Sequence, residues 1–367
     1  MIDIVVGAGR TAVLAGFLSL LMVTAAHAAD QCQDVFKPTK LEATDKSDPK
    51  ARFTIDAKTK QARMESFVKI ADDRELYVDF LKPAPGKPII VLLNGLTYRV
   101  GVWDAFVDNL KGDGLGILRY DPIGMGETMK KYGPPKGPVE IKDQVADLNK
   151  LLKALGITQK VHLLGLSYGG GVAIEFAGTY PNKVATLMPE SAFTEPLKGQ
   201  VDQINTLIAM TRVSFPFNPA TDAQLYSYFL RNIVYSTYPM SEPIVLEHPY
   251  KLESVYRLAE GTKTFRGLDW IGKFPKGSVH QIDAGKDQYI TADVPQRFWD
   301  SLPASVRGSR MILDHSEHKI PEAMPHISAE WVKLIINRDP RIQNGETWTG
   351  GVWAGGFTAG PTKIVIN

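Results

Sequence analysis

The most informative segment of this chain is Val161-His-Leu-Leu-Gly-Leu-Ser-Tyr-Gly-Gly-Gly171. Its apolar first half is typical of a buried strand, and it ends in the pattern Gly-x-Ser-x-Gly around Ser167, followed by the start of a helix. A serine in this pattern lies at a sharp, strained turn with its hydroxyl exposed. The flanking glycines are needed because a Cβ would collide where the strand and the helix nearly touch. We therefore expect Ser167 to be a nucleophile, with the backbone N–H of Tyr168 pointing at a developing oxyanion.

The segments around this turn alternate between strands and helices. An apolar strand at residues 89–93 ends in Asn94-Gly95, and a second strand, at residues 116–121, leads into a Gly-rich turn. Residues 139–155 have apolar side chains at helical spacing. This order predicts an α/β protein with a mostly parallel sheet, right-handed crossovers and helices on both faces.

From roughly residue 75 to residue 337, the chain resembles the α/β-hydrolase-fold serine hydrolases, the family of many esterases and lipases. Asn94-Gly95-Leu96 stands where that family usually has His-Gly-x, and residues 120–128 resemble its D-x-x-G-x-G-x-S turn. Two residues depart from the pattern, since Asn94 and Met125 each replace a frequent histidine. The resemblance implies that the backbone N–H of Leu96 is the second oxyanion donor.

The family's chain order of serine, acid and histidine directs the search for the acid to the region after Ser167. Residues 279–290 predict a strand followed by a turn, and Asp287 in Gly285-Lys-Asp287 falls where the family places its acid. Asp283 is the alternative, but its position predicts that it lies within the end of the strand rather than on the turn.

The base is expected on the loop after a strand at residues 310–314, which we take as the last one. His315 and His318 both lie on this loop. In the family, a proline that opens the final helix commonly follows the catalytic histidine by about seven positions. Pro325 has that spacing from His318, so the resemblance favours His318 over His315. The other histidines are ascribed to strand ends, caps or the surface: His162, His248, His280 and His326.

Together these residues predict a Ser167–His318–Asp287 triad that acts on a small-molecule acyl substrate through an acyl-enzyme. Such chemistry requires neither a metal nor an organic cofactor. A serine rather than an aspartate at the turn argues against dehalogenase and epoxide hydrolase chemistry.

The N-terminal residues indicate export. An apolar stretch at residues 11–26 follows Arg10 and runs into Ala26-His-Ala28, a small-x-small cleavage pattern. We therefore expect a secretory signal peptide over residues 1–28 and a periplasmic or secreted mature chain. A Gly-x-Gly-x-x-Ala match at residues 7–12 leads into this stretch rather than into a complete βαβ unit, so it does not indicate dinucleotide binding.

The remaining chain is predicted to comprise an arm (residues 29–60), a hydrolase core in two parts (61–193 and 275–337), an inserted, mostly helical cap (194–274) and a Gly/Trp-rich tail (338–367). Two antiparallel edge strands are expected at residues 64–70 and 75–81, and a hairpin at residues 347–357. The net charge of +2 gives no case for nucleic acid, and the single cysteine, Cys32, allows no intramolecular disulfide.

Other functions on the same fold stay open at this point: a proline-type aminopeptidase, a C–C bond hydrolase, a cofactor-free haloperoxidase or a non-catalytic binding module. An aminopeptidase needs acidic side chains in the cap to hold the substrate ammonium. The candidates for that role are Glu242, Glu247, Glu253 and Glu260.

Overall fold

The computed structural model describes residues 52–96, 98–241, 251–350 and 362–364. The predicted signal peptide, Cys32, His248, Glu242 and Glu247 lie outside the described residues. The chain divides into two compact units. The described part of the smaller one runs from residue 204 to 241 and includes residues 251–252, while the larger one contains the rest.

The described residues of the larger unit form one eleven-stranded sheet, with strand order β1-β2-β3-β5-β4-β6-β7-β8-β9-β10-β11. Strands β4 to β10 run parallel, whereas β1, β2, β3 and β11 pair antiparallel with their neighbours. The strands are β1 (Arg52–Ile55), β2 (Ala62–Ala71), β3 (Arg74–Leu81), β4 (Ile89–Leu93), β5 (Gly116–Asp121), β6 (Val161–Leu166), β7 (Val184–Glu190), β8 (Val279–Ala284), β9 (Arg307–Leu313), β10 (Thr347–Gly350) and β11 (Thr362–Ile364).

Ten α-helices lie within the described residues, and those of the larger unit connect the parallel strands and cover both faces of the sheet. The ten helices are α1 (Asp104–Leu110), α2 (Gly126–Tyr132), α3 (Ile141–Ala154), α4 (Tyr168–Thr179), α5 (Lys198–Ser214), α6 (Asp222–Ser241), α7 (Lys251–Gly261), α8 (Asp293–Ser301), α9 (Ile320–Ala323) and α10 (Pro325–Ile336). No helix of the described residues is both long enough and apolar enough to cross a membrane.

Strands β4 and β6 are buried along their whole length, as expected for a parallel sheet with helices on both faces. Two apolar cores result, one on each face. Helices α3 and α4 pack on the first core, and α1 and α10 pack on the second. The architecture confirms the α/β fold predicted from the order of strands and helices.

The two ends of the sheet differ from the sequence-based expectation. A further strand, β1, forms within the predicted arm and pairs with β2, so β2 is not an edge strand. The turn between them is held by Asp56, whose Oδ1 accepts hydrogen bonds from the N–H groups of Lys58 and Thr59 at 3.1 and 2.9 Å.

At the other end, β9 is not the last strand, because β10 pairs with it in parallel. Burial of Trp348 explains this addition, since its ring packs against Trp331 with centroids 5.5 Å apart. The partner of β10 begins at Thr362 rather than within the hairpin predicted at residues 347–357.

Candidate active site

Ser167 lies at a strained turn between β6 and α4. Its φ of 52° and ψ of −117° are rarely adopted by a residue with a Cβ. The structure also explains the glycines on either side. A Cβ on Gly165 would lie 2.3 Å from the carbonyl oxygen of Gly169, and one on Gly169 would lie 2.2 Å from that of Leu93. The turn therefore has the strand–turn–helix geometry that the sequence predicts, and Ser167 is partly exposed between buried neighbours.

Strand β7 and the segment that follows it hold Ser167 at both of its backbone polar groups. The N–H of Ser167 donates to the carbonyl of Glu190 at 2.9 Å, and its carbonyl accepts from the N–H of Phe193, also at 2.9 Å. A Cβ on Gly170 would lie 2.4 Å from that of Ala192, so the start of α4 packs tightly on the same segment. Residues 190–193 thus fix the position of the serine.

The turn after β4 lies directly against Ser167. A Cβ on Gly95 would lie 3.5 Å from the Cβ of Ser167 and 2.6 Å from the ring of Tyr98, so a larger residue there would have to displace that ring. Leu96 follows within this turn, and Tyr168 is the first residue of α4, where helix N–H groups have no acceptor within the helix. Both residues of the predicted oxyanion site therefore belong to segments that border Ser167.

Asn94, which replaces the family's usual histidine, has a structural role. It is buried, donates to the carbonyl of Tyr120 and to Asp121 Oδ1, both at 3.1 Å, and accepts from Trp103 Nε1 at 2.9 Å. Burial raises the pKa of Asp121 to about 6, against hydrogen bonds that favour its charged form. Met125, the other departure, is a buried core residue.

Asp287 and His318 form a direct hydrogen bond. Oδ2 of Asp287 lies 2.7 Å from Nδ1 of His318, and each side chain is only 4% exposed. The other carboxylate oxygen, Oδ1, accepts the N–H groups of Tyr289 and Ile290, both at 2.8 Å. The carboxylate is therefore fixed at both oxygens, and the imidazole presents Nε2 as its remaining nitrogen.

The loop that carries His318 is packed against its neighbours on two sides. The ring of Tyr289 meets the imidazole edge-on, with centroids 5.1 Å apart. On the other side, Nζ of Lys319 lies 5.0 Å from the ring centroid of Tyr98. Because Tyr98 covers Gly95, which borders Ser167, the loops after β4, β6 and β9 meet at one end of the sheet.

The alternative acid and base residues are engaged elsewhere or lie in solvent. Asp283 lies within β8, and its Oδ2 forms an ion pair with Nε of buried Arg310 at 2.6 Å. Burial raises the pKa of Asp283, and Arg310 opposes this shift. His315 is exposed. The structure thus brings Asp287, and not Asp283, to His318.

The other described histidines bond to polar neighbours away from this site. His162 Nδ1 lies 2.7 Å from Thr186 Oγ1, His280 Nδ1 lies 2.9 Å from Ser309 Oγ, and His326 Nδ1 lies 3.4 Å from Asn109 Oδ1.

Glu190 is a feature that the sequence analysis missed. It ends β7, is fully buried, and accepts the N–H of Ser167 with its backbone carbonyl. The one signal in the sequence that could have identified it is a charged residue at the end of the apolar run from Leu187.

Glu253 and Glu260, the two described residues among those considered for an aminopeptidase, share one arginine partner. Arg257 Nε lies 2.9 Å from Glu253 and its Nη1 lies 3.5 Å from Glu260, so one guanidinium neutralises both carboxylates. Among the described residues, His, Cys, Asp and Glu side chains form no group of three that could hold a metal ion. The absence of a cofactor and of a metal stays a prediction.

Comparison with known proteins agrees with this architecture. Residues 88–290 match the family model described as the α/β hydrolase fold, a match that covers more than half of the chain. The chain is also similar to a solved α/β-hydrolase enzyme from a Medee basin deep-sea metagenome library. That structure shares 20% identity, with a TM-score of 0.55 over 74% of this chain and 97% of the other.

Two curated relatives match over shorter segments. The protein named "Putative carbamate hydrolase RutD" from Caulobacter segnis is 26% identical over 31% of this chain and 41% of its own length. The proline iminopeptidase of Clostridium botulinum is 32% identical over 26% of this chain and 31% of its own length. The chain therefore spans well under half the length of these relatives.

Proposed function

Since the chain belongs to the α/β-hydrolase family, we propose that it is a serine hydrolase which cleaves an ester or a related acyl bond. The observation that carries the proposal is the 2.7 Å hydrogen bond between buried Asp287 and His318, at the end of the sheet where Ser167 is held. A serine hydroxyl needs a base, and the base needs a group that orients it.

In the proposed reaction, Ser167 attacks the carbonyl carbon while Nε2 of His318 takes its proton. Asp287 holds the proton on Nδ1, which leaves Nε2 as the acceptor, and stabilises the imidazolium that forms. The N–H groups of Leu96 and Tyr168 then stabilise the oxyanion of the tetrahedral intermediate. His318 returns the proton to the leaving group. In the second half of the reaction, water attacks the acyl-enzyme while His318 takes a proton from the water, and His318 then returns this proton to Ser167 as the acid product leaves.

An ester is favoured over the N-terminal amide of a peptide because of Arg257. An aminopeptidase holds a substrate ammonium with carboxylates, yet Glu253 and Glu260 already bind a guanidinium. The relatives' names cover a carbamate hydrolase and an iminopeptidase, so they support acyl chemistry without selecting the leaving group.

A fluorophosphonate probe tests the nucleophile, because it reacts with activated serines. We expect the folded chain to be labelled at Ser167, whereas the Ser167→Ala variant is not labelled. A folded sample that resists the probe would leave a non-catalytic binding module as the better explanation. A panel of chromogenic esters of increasing acyl length, run beside amino-acid arylamides, tests the substrate class, and faster turnover of the arylamides would overturn the ester proposal.

We further propose that the chain is exported to the periplasm or beyond. The proposal rests on the apolar stretch and the small-x-small pattern before Ala29. N-terminal sequencing of protein from the native host should find a chain that begins at Ala29 or Asp30. An intact Met1 on cytoplasmic protein would rule export out.

A further inference from the structure

Glu190 is a buried carboxylic acid directly beside the proposed nucleophile. It is 0% exposed, and its backbone carbonyl accepts the N–H of Ser167 at 2.9 Å. The next residue, Ser191, has a φ of 40°, in the left-handed region that residues with a Cβ rarely adopt. A change at Glu190 therefore acts on a strained segment that holds Ser167.

The side chain of Glu190 lies on an apolar face of the sheet. Within the sheet Glu190 is paired with Leu166 on one side and Ile282 on the other, and paired residues of parallel strands share a face. Both neighbours belong to the core that includes Ile320, two residues after His318. Neither carboxyl oxygen of Glu190 has a hydrogen-bond partner among the described residues.

Three other carboxylates at this end of the sheet already have partners of their own. Asp283 follows Ile282 on β8 and so points to the opposite face, where it binds Arg310. Asp287 binds His318 beyond the strand ends. On the same face as Glu190 but two strands away, Asn94 at the end of β4 binds Asp121.

Burial alone therefore governs the ionisation of Glu190. It raises the pKa of this carboxyl from the ordinary 4.5 to about 8. Below that pKa the side chain is a neutral acid. At higher pH it loses its proton to solvent and leaves a charge on an apolar face, which is costly unless the side chain moves.

We propose that Glu190 is a positioning residue that holds the Ser167 turn only while its carboxyl group is protonated, so that its ionisation sets the upper pH limit of activity. This inference rests on the proposed hydrolase function. The link between the two groups is the backbone hydrogen bond, since a backbone movement that exposes the charge of Glu190 also displaces the carbonyl that holds Ser167.

The test compares Glu190→Gln, a neutral mimic of the protonated acid, with the wild type. The rate of fluorophosphonate labelling at Ser167 is measured from pH 6 to 10.5. We expect the wild-type rate to fall about tenfold per pH unit above pH 8, as for a single essential acid, and the rate of the variant to stay level. Glu175→Gln is the matched control, because Glu175 is half-buried on α4 and burial also raises its pKa. The control should keep the wild-type alkaline fall.

Melting curves provide a readout that does not depend on activity. A group whose pKa is raised in the folded state loses its stabilising effect as pH rises from its unfolded to its folded value. The wild-type midpoint should therefore drop relative to Glu190→Gln between about pH 4.5 and pH 8, and the gap should stay constant above that.

Two results would overturn the inference. One is an alkaline fall in labelling that persists in Glu190→Gln, and the other is a folded Glu190→Gln that fails to label at any pH. If this variant does not fold, Glu190→Met replaces it in the same comparison. Activity retained by Ser167→Ala would contradict the hydrolase proposal instead, and would leave the melting comparison intact.

Discussion

Asp287 Oδ2 lies 2.7 Å from His318 Nδ1, although 31 residues separate the two in the chain. Asp283, only four residues before Asp287, is instead paired with buried Arg310 at 2.6 Å. The two aspartates thus perform different tasks at one end of the sheet. Asp287 binds an imidazole, whereas Asp283 binds a guanidinium.

This division predicts opposite outcomes for two isosteric substitutions. Asp287→Asn should lower kcat by a factor of roughly a thousand or more, because the amide stabilises the wrong tautomer of His318, and should barely change the free energy of unfolding. Asp283→Asn should lower the free energy of unfolding by about 3 kcal/mol, because Arg310 keeps a buried, unpaired charge. Ester turnover and urea unfolding of both variants check this. A dead but fully stable Asp283→Asn would reverse the assignment of the acid.

Ser167→Ala should lower kcat by a factor of roughly a thousand or more. Its thermal midpoint should stay within about 3 °C of the wild type, because alanine keeps the Cβ and the strained φ of 52°. Ser167→Gly is the informative partner, since glycine adopts positive φ without a steric cost. It should be equally inactive and melt no lower than Ser167→Ala. Turnover near the wild-type rate in either variant would refute Ser167 as the nucleophile.

Alanine substitutions at the two histidines of the loop after β9 should have opposite effects on ester turnover. His318→Ala removes the buried partner of Asp287 and should abolish measurable ester turnover. His315→Ala removes an exposed side chain three residues earlier and should keep most of the activity. Parallel assays at saturating substrate decide between them. If His315→Ala were the inactive variant, the choice of base would be wrong by three residues.

Patterns confined to short segments made much of this fold predictable. The turn at Ser167 depends on glycines within two residues of it, and β4 and β6 are apolar at nearly every position because both faces are buried. The pairing of Asp287 with His318 followed from the family's chain order. It could not be derived from spacing, because contacts across 31 residues leave no local pattern.

The features that were missed depend on distant contacts. The strand β10 forms because Trp348 has Trp331 to pack against, and an isolated Gly/Trp-rich segment carries no sign of that partner. The role of Asn94 depends on Trp103 and Asp121, which belong to two other segments of the chain. Glutamate is ordinarily a charged residue, and only burial on an apolar face raises the pKa of the Glu190 carboxyl to about 8.

Two buried histidines should make the free energy of unfolding depend on pH in the acid range. Burial lowers the pKa of His162 and of His280 to about 4, and each ring is already bonded to a hydroxyl, of Thr186 and Ser309 respectively. The unfolded chain binds protons at these rings with an ordinary pKa near 6.5, whereas the folded chain does not until the pH approaches 4.

The free energy of unfolding should therefore fall as the pH drops from about 6.5 to about 4, by on the order of 3 kcal/mol for each histidine. Replacing both rings, as in His162→Asn with His280→Asn, should flatten this dependence, because asparagine does not titrate and can still bond a hydroxyl. Urea unfolding at pH 7, 5.5 and 4.5 measures the slope. His315→Asn is the matched control, because it makes the same substitution at an exposed histidine. A double variant that loses as much stability on acidification as the wild type would show that other groups govern acid unfolding.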